Sequence, residues 1–344
     1  MRGTRVLVTG GTGFIGAHLV TALLSLGAEV TVFDRRTRAP QIPGAATFVE
    51  DLNNRGALKA ALQGVDIVYH LAWSGVHQSS NQDVRAHVEM NLLPALGLFE
   101  LCAEAKVGKV VFLSSGGAIY GRATRLPIPE DHPLHPISAY GCAKLAAESG
   151  LELFGHLHGL RYCILRPSVP YGERQNPNGT QGAVAVFLGK ALSGEPITIW
   201  GDGSAIRDFF HVEDLVSACL CAARGDLPCG VFNIGGGCPV SLNELVTLVG
   251  RVSGRPPRVI YEAPRLFDPP SIVLDISRAN SCLGWRPTVD LEDGVGRLWR
   301  WMTGVWAPET LPRASSSAHR EETDGRHPAS NDRVRGATEQ IMRK

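Results

Sequence analysis

The sequence predicts an α/β fold, with a Rossmann-like, doubly wound parallel sheet and a smaller α/β lobe. Three observations lead to this prediction. Short apolar runs recur through the first half of the chain, and stretches with helical spacing separate most of them. The runs are apolar almost throughout, as expected of strands that helices cover on both faces. The length of 344 residues provides for about two domains.

The apolar runs define five strands, which we predict at Arg5–Val8, Val30–Phe33, Val65–Leu71, Val110–Ser114 and Tyr162–Leu165. The crossover helix after the first strand begins near Phe14, and its apolar residues recur at steps of three and four. Gly27 follows the last of them, where a left-handed residue ends many helices. This alternation of strand and helix indicates parallel pairing.

The composition changes near Pro167, where Pro- and Gly-rich loops begin to alternate with helical stretches near Val184–Leu192 and Leu242–Val252. The last part of the chain has three Leu, Ile or Val residues and no aromatic residue, too few to offset the entropy of ordering it. We therefore predict a doubly wound domain at residues 1–166 with 206–237. A second lobe comprises residues 167–205 with 238–308, and residues 309–344 form a disordered tail.

Charge and cysteine content argue against several classes of function. The 34 Lys and Arg residues nearly balance the 33 Asp and Glu residues, so no strong field attracts nucleic acid or an anionic membrane. The eight Cys residues form no C-x-x-C pair, and no His pair has metal-ligand spacing, so we expect neither disulfides nor a metal site. No apolar run reaches the roughly 18 residues that span a bilayer. We expect a cytoplasmic protein.

A glycine-rich turn, TGGTGFIG, follows the first predicted strand, with Gly10, Gly13 and Gly16 at steps of three. Such a turn lets a pyrophosphate approach the backbone, and the helix that follows directs its free N–H groups toward the phosphate. Asp34 ends the second strand 18 residues after Gly16, close to the spacing of about 20 at which a carboxylate binds the adenosine ribose. These features together predict a dinucleotide site.

The acidic residue favours NAD over NADP, because the carboxylate of Asp34 repels a 2′-phosphate. Arg35 and Arg36 follow it directly and leave NADP open as an alternative. Asp51 follows a further strand, expected between Val30–Phe33 and Val65–Leu71, and there it either contacts the adenine or only forms a turn.

Tyr140 and Lys144 lie four residues apart and therefore on one face of a helix, which Ser138 begins. A neighbouring ammonium, with the positive charge of a nicotinamide, favours the phenolate and lowers the pKa of the phenol from about 10 toward working pH. We predict a general acid/base pair. The alternative is a surface Lys beside a half-buried Tyr.

Over residues 4–305 the chain resembles the extended short-chain dehydrogenase/reductase superfamily, and within it the NAD-dependent epimerase/dehydratase family typified by UDP-glucose 4-epimerase. The motifs that carry the resemblance are TGGTGFIG, Asp34, HLA at 70–72, Asn91, SSGGAIYG, YGCAK, LRPSVPYG at 165–172, GDGSAIRDFFHVEDL at 201–215, FNIGGG at 232–237 and LGWRP at 283–287.

The resemblance implies three sets of site residues. NAD would be held by Gly10, Gly13, Phe14, Ile15, Gly16, Asp34, Asp51, Leu52, Ala72, Asn91, Tyr140, Lys144 and Pro167. A nucleotide-sugar substrate would contact Ser115, Tyr140, Arg207, Arg265 and Ile272, of which the two Arg residues would hold the diphosphate. The catalytic residues would be Tyr140, Lys144 and Ser115.

The chain departs from the pattern of this family at three places. Gly116 stands where a catalytic Ser or Thr is usual, so Ser115 is the expected replacement. Val169 replaces an Asn that contacts the substrate diphosphate. Gly117 and Ala118 stand where dehydratases carry an Asp-Glu pair, so dehydration lacks its acid and base.

The resemblance therefore implies an NAD-dependent nucleotide-sugar 4-epimerase that acts on a UDP-hexose, either UDP-glucose/UDP-galactose or the N-acetyl forms, through a transient 4-keto sugar. It also implies a homodimer that pairs through the helix Ser138–Leu153. Two alternatives remain open from the sequence. One is a nucleotide-sugar oxidoreductase or decarboxylase of the same superfamily, and the other is a non-catalytic NAD-binding sensor.

Overall fold

The computed structural model describes residues 1–36, 42–75, 80–265 and 269–305. Its strands are β1 (Arg5–Thr9), β2 (Glu29–Phe33), β3 (Ala46–Phe48), β4 (Ile67–His70), β5 (Lys109–Leu113), β6 (Tyr162–Pro167), β7 (Val169–Tyr171), β8 (Ile197–Trp200), β9 (Ile206–His211), β10 (Gly230–Ile234), β11 (Pro239–Ser241), β12 (Val259–Glu262) and β13 (Ser271–Ile272).

Its helices are α1 (Phe14–Ser25), α2 (Arg55–Ala61), α3 (Val84–His87), α4 (Leu93–Glu104), α5 (Gly116–Ile119), α6 (Ala139–His158), α7 (Ala183–Ser193), α8 (Val212–Ala222), α9 (Leu242–Ser253) and α10 (Leu291–Val305). Two short π-helical turns lie at Val88–Leu92 and Ala279–Leu283. Among the described helices, none combines the length and the apolar character that a bilayer crossing requires.

A parallel sheet of seven strands, in the order β10-β6-β5-β4-β1-β2-β3, confirms the predicted fold class. The strand order reverses direction between β1 and β4, and ligands bind beyond the carboxyl ends of parallel strands at such a switch point. The five strands predicted from apolar runs lie in this sheet, each within a few residues of its expected bounds.

The two faces of the sheet carry separate apolar cores because side chains alternate along each strand. Val6 and Val8 of β1 pack in one core with α1 and α8, whereas Leu7 packs in the other with α2, α4 and α6. Helices on both faces explain the continuous apolar runs of the strands.

The second half of the chain adds two smaller sheets. In one of them β11, β13 and β7 each pair with β9, and in the other β12 pairs with β8. Helices α7, α9 and α10 share a third apolar core. The division into two lobes stays a prediction, and the expected tail at residues 309–344 lies outside the described residues.

Candidate active site

A cleft opens at the carboxyl ends of β1, β2 and β4, the place that the switch point predicts. It has a volume of about 380 Å³, and its wall is formed by Gly10, Phe33, Asp34, Arg35, Arg36, Glu50, Asp51, Leu52, Ala72, Trp73, Ser74, Gly75, Met90 and Asn91. Six of the residues expected to hold NAD are among them, namely Gly10, Asp34, Asp51, Leu52, Ala72 and Asn91.

The glycine-rich turn joins β1 to α1, and its shape requires glycine at two positions. Gly10 has a positive φ of 71°, and a Cβ there would lie 2.7 Å from the backbone nitrogen of Ala72. A Cβ on Gly16 would collide with the carbonyl oxygen of Gly10. The turn therefore keeps the backbone open at the N-terminus of α1, where Gly13, Phe14 and Ile15 lie.

Asp34 lies buried at the end of β2 and already accepts several hydrogen bonds. Its Oδ2 accepts from the hydroxyl of Thr12 at 2.6 Å, and its Oδ1 accepts from the backbone nitrogen of Arg36 at 3.2 Å. The side chain of Arg36 lies 3.4 Å from the same carboxylate. Arg35 turns the other way and donates to the hydroxyl of Ser74. The carboxylate is thus fixed at the cleft wall, and the neighbouring Arg36 is drawn to it.

Two further residues of the cleft wall fix loops. Asp51 accepts from the backbone and side-chain nitrogens of Asn53 at 2.9 and 2.8 Å, which is the turn-forming arrangement anticipated as one alternative. Asn91 lies in the π-helical turn after α3, and its side chain bonds both backbone polar groups of Ser74. It therefore sets the path of the loop that follows β4.

Tyr140 lies in the first turn of α6, and the start of this helix is held at several points. The hydroxyl of Ser138 accepts from the backbone nitrogen of Gly141 at 3.1 Å, which confirms Ser138 as the cap. The backbone nitrogen of Tyr140 donates to the hydroxyl of Ser80 at 3.1 Å. These bonds fix the position from which the phenol reaches the edge of the sheet.

The phenol of Tyr140 forms a side-chain hydrogen bond with Ser115, which follows β5. Burial raises the pKa of Tyr140 to about 12, and the bond with Ser115 opposes this shift. The pKa of the phenol is thus raised, whereas the spacing of Tyr140 and Lys144 predicted that it would be lowered. The spacing places the Lys144 Nζ 5.9 Å from the ring centroid of Tyr140, but the largest effect on the pKa of the phenol is desolvation of the phenolate.

Lys144 lies one helical turn after Tyr140 and is 3% exposed. Its Nζ donates to the carbonyl oxygen of Leu113 at 2.7 Å and lies 3.8 Å from the ring centroid of Trp73. Burial lowers the pKa of Lys144 well below its usual range, and the carboxylate of Glu148 opposes this shift. The hydrogen bond to Leu113 holds Nζ at the carboxyl end of β5, 5.9 Å from the ring centroid of Tyr140.

The absence of a hydroxyl at Gly116 has a steric reason. A Cβ at this position would lie 2.5 Å from Leu274 Cδ1 and 3.0 Å from the carbonyl oxygen of Arg166. The next residue is open, because a Cβ on Gly117 would meet its nearest atoms at ordinary contact distances. Ser115 is thus the residue of this segment whose hydroxyl reaches Tyr140.

Two of the residues expected to bind substrate, Arg207 and Ile272, lie in strands of one small sheet, and Arg265 lies in the segment after β12. Arg207 of β9 pairs with Ile272 of β13, so the two share one register position. A Cβ on Gly117 would lie 3.8 Å from Ile272 Cδ1, which places Ile272 next to the Ser115 segment. The guanidinium of Arg265 lies 3.9 Å over the ring of Trp200 at the end of β8. Pro167 ends β6 and pairs with the last residue of β10.

Sequence reasoning missed two residues that shape the site. Thr12 lies within the glycine-rich turn and bonds Asp34, and Trp73 lies between the cleft and the Tyr140 and Lys144 pair. The one available signal for Trp73 was a large aromatic residue directly after the HLA motif.

Comparison with known proteins matches the profile of the NAD-dependent epimerase/dehydratase family to residues 6–235. The chain belongs to this family. The UDP-glucose 4-epimerase of Mycolicibacterium smegmatis is 35% identical over 305 residues, a match that covers 85% of this chain and 96% of the relative.

Two solved structures agree with the fold. The UDP-glucose 4-epimerase of Thermotoga maritima with UDP-glucose has a TM-score of 0.83 at 35% identity, covering 88% of this chain and 99% of that one. The UDP-glucose 4-epimerase of Thermus thermophilus in complex with NAD has a TM-score of 0.82 at 34% identity, covering 88% and 100%. The resemblance read from the sequence is confirmed.

Proposed function

We propose that this family member is an NAD-dependent nucleotide-sugar 4-epimerase that acts on UDP-hexoses. The observation that carries the proposal is the Tyr140 phenol, hydrogen-bonded to Ser115 with the Lys144 ammonium one helical turn away, at the same sheet edge as the glycine-rich turn. Relatives that cover nearly the same length are named UDP-glucose 4-epimerases.

The cleft fits NAD by its own features. The glycine-rich turn leaves space that any Cβ at Gly10 or Gly16 would fill, and Asp34 offers a fixed acceptor for ribose hydroxyls. We propose that NAD is held there by the residues that the sequence predicted, with Leu52, Ala72 and Asn91 at the wall. Bound there, NAD would supply reversible hydride exchange with C4 of the sugar.

The residues of the chain supply the proton transfer that must accompany this exchange. Tyr140 takes the proton of the C4 hydroxyl and later gives it back, while Ser115 hydrogen-bonds the same sugar oxygen. Burial raises the pKa of Tyr140 to about 12, so the phenol becomes a useful base only when positive charge is placed beside it. The Lys144 ammonium and the oxidised nicotinamide are the two charges that we assign to this task.

The diphosphate of the substrate is assigned to Arg207 and Arg265, because a guanidinium pairs phosphate oxygens in a planar fork. Ile272 lies beside Gly117, where it lines the sugar pocket without a polar group. Gly117 and Ala118 carry neither acid nor base, so loss of water from the sugar is not supported by this segment.

Three coarser features complete the proposal. We propose that the doubly wound domain binds NAD and the second lobe binds the nucleotide sugar. We propose a homodimer, because α6 presents Leu153 and Leu157 to solvent one turn apart, at 53% and 60% exposure. All eight Cys residues are free thiols, which fits a cytoplasmic enzyme.

Incubation of the purified chain with a panel of UDP-, dTDP- and GDP-sugars tests the function, with NMR of the anomeric protons and NADH absorbance recorded together. We expect a UDP-hexose to convert to its 4-epimer while free NADH stays at zero. Stoichiometric NADH with an oxidised sugar would instead identify an oxidoreductase or decarboxylase. No conversion of any sugar, with Tyr140→Phe unchanged in its cellular effect, would point to a non-catalytic sensor.

A further inference from the structure

Trp73 follows β4 directly, and its indole lies between the cofactor cleft and the proton-transfer pair. It lines the cleft, its ring centroid is 3.8 Å from Lys144 Nζ, and it meets the Tyr140 ring edge-on at 6.3 Å. We propose that Trp73 is a positioning residue that holds the Lys144 ammonium at the cofactor site through a cation–π contact. The inference rests on the proposed function for its catalytic meaning, although the contact itself is tested separately.

Within the described part of the chain, the surroundings of the Lys144 Nζ are mostly aromatic. Lys144 Nζ has three N–H groups, and in the described part of the chain one of them donates to the carbonyl oxygen of Leu113. The Phe112 ring lies at 4.8 Å and the Tyr140 ring at 5.9 Å, both farther than Trp73. A desolvated ammonium over an indole is among the stronger forms of this interaction.

The charged and titratable groups around Lys144 do not by themselves account for stabilisation of its ammonium, so the aromatic contact contributes an important part of it. On its own helix, Glu148 is the carboxylate whose charge acts on Lys144, but Arg166 binds both of its oxygens at 3.1 and 2.6 Å. From β4 and α3 come His70 and His87, and burial lowers the pKa of each, that of His70 to about 3. Burial therefore disfavours a positive charge on either ring, and neither histidine can offer the ammonium an opposite charge.

The contact also explains why a large aromatic residue occupies this wall of the cleft. The rings of His70, Phe112 and His87 surround the indole within 6.1 to 6.4 Å, which restricts its rotation. A fixed indole fixes the ammonium, and the ammonium is the charge that we assign to making the Tyr140 phenol acidic. Trp73 therefore acts on proton transfer through Lys144.

The pH dependence of kcat/KM in the full-length enzyme tests this role. Activity requires protonated Lys144, so it falls as the pH rises through the pKa of that group. Trp73→Leu removes the stabilisation of the ammonium, and we expect this alkaline limb to move down by about one pH unit. Trp73→Phe retains an aromatic ring, so its alkaline limb should stay close to the wild-type position. An alkaline limb that does not move in Trp73→Leu would overturn the proposal.

The matched control is Phe99→Leu, which removes a fully buried ring that contacts Phe112 and His70. It loses core packing of similar size, so we expect a lower Tm with the alkaline limb in its original place. If Phe99→Leu moves the limb as far as Trp73→Leu does, the effect is general loosening of the core and the proposal is wrong.

A second readout is independent of epimerase activity. The difference in tryptophan fluorescence between the wild type and Trp73→Phe reports the surroundings of one indole, and a charge 3.8 Å away changes its emission. We expect this difference to titrate in one alkaline step that disappears when both proteins carry Lys144→Met. A step that persists with Lys144→Met would overturn the contact, whereas a lost step in a chain that epimerises no sugar would overturn only the proposed function.

Discussion

Gly116 determines which residue of its segment can supply a hydroxyl to the site. The resemblance to the family predicts a hydroxyl at this position, yet Leu274 and the carbonyl of Arg166 occupy the space that a Cβ needs. The hydroxyl that bonds Tyr140 comes from Ser115, and its expected role toward the sugar stays a prediction. The Leu274 side chain and the backbone of Arg166 fill the place that a side chain at position 116 would need, and the hydroxyl lies one position earlier in the chain.

Restoring the usual hydroxyl with Gly116→Ser should therefore destabilise the protein. We expect a loss of about 1–3 kcal/mol in the free energy of unfolding, because the added atoms overpack a buried site. Urea denaturation measures it. Gly117→Ala is the matched control, since its Cβ would have neighbours no closer than 3.7 Å, and it should cost less than about 1 kcal/mol. Equal stability of Gly116→Ser and the wild type would contradict this reading.

Residue chemistry was predictable from the sequence where it depends on local spacing. Tyr140 and Lys144 share a helix face, and Asp34 ends its strand beside the glycine-rich turn. Burial was not predictable in this way. The pKa of Tyr140 rises because side chains from distant parts of the chain desolvate it, and Trp73 meets Lys144 across 71 positions of sequence. The local spacing of residues does not predict contacts between segments that are distant in sequence.

At the level of elements, α6 organises the proton-transfer site. It begins at the Ser138 cap, ends before Gly159 with its φ of 67°, and places Tyr140, Lys144 and Glu148 four residues apart along one face. The predicted helix ended at Leu153, five residues early, because the last turns carry polar and exposed side chains. The strand before Asp51 was expected without bounds, because two of the three residues of β3 face solvent and form no apolar run.

The Ser138 cap fixes the start of α6 and with it the position of Tyr140. Its contribution to stability can be measured. Ser138→Ala leaves the backbone nitrogen of Gly141 without its acceptor, and we expect a loss of about 1 kcal/mol in the free energy of unfolding. The control is Ser25→Ala at the exposed end of α1, where the hydroxyl only returns to the carbonyl of Ala22, and where we expect a change within about 0.5 kcal/mol. Similar losses at both sites, measured by urea denaturation, would refute the assignment of the cap.

At the scale of the whole molecule, the side of the sheet that carries α4 and α6 exposes several large apolar side chains. Leu93 of α4 and Leu153 and Leu157 of α6 are more than half exposed. The proposed homodimer buries this apolar surface, and it would bring the helix that carries Tyr140 and Lys144 against its counterpart in a second copy.

The double variant Leu153→Glu with Leu157→Glu should prevent this association, because burying two carboxylates in an apolar contact is costly. Light scattering should give about twice the chain mass of 36.9 kDa for the wild type and the single mass for the variant. Leu26→Glu serves as the control, since Leu26 is 47% exposed beyond the end of α1, and it should leave the mass of the wild type unchanged. A monomeric wild type at working concentration would disprove the dimer.

The origin of the hydrogen on the inverted carbon is the most direct measure of the proposed chemistry. A UDP-hexose that carries deuterium at C4 is incubated with the enzyme in ordinary water, and the epimer is examined by NMR and mass spectrometry. The account predicts that the product keeps deuterium at C4, because the same hydrogen leaves and returns within one closed site while Tyr140 handles only the hydroxyl proton. A product that has exchanged its C4 label for solvent hydrogen would contradict it.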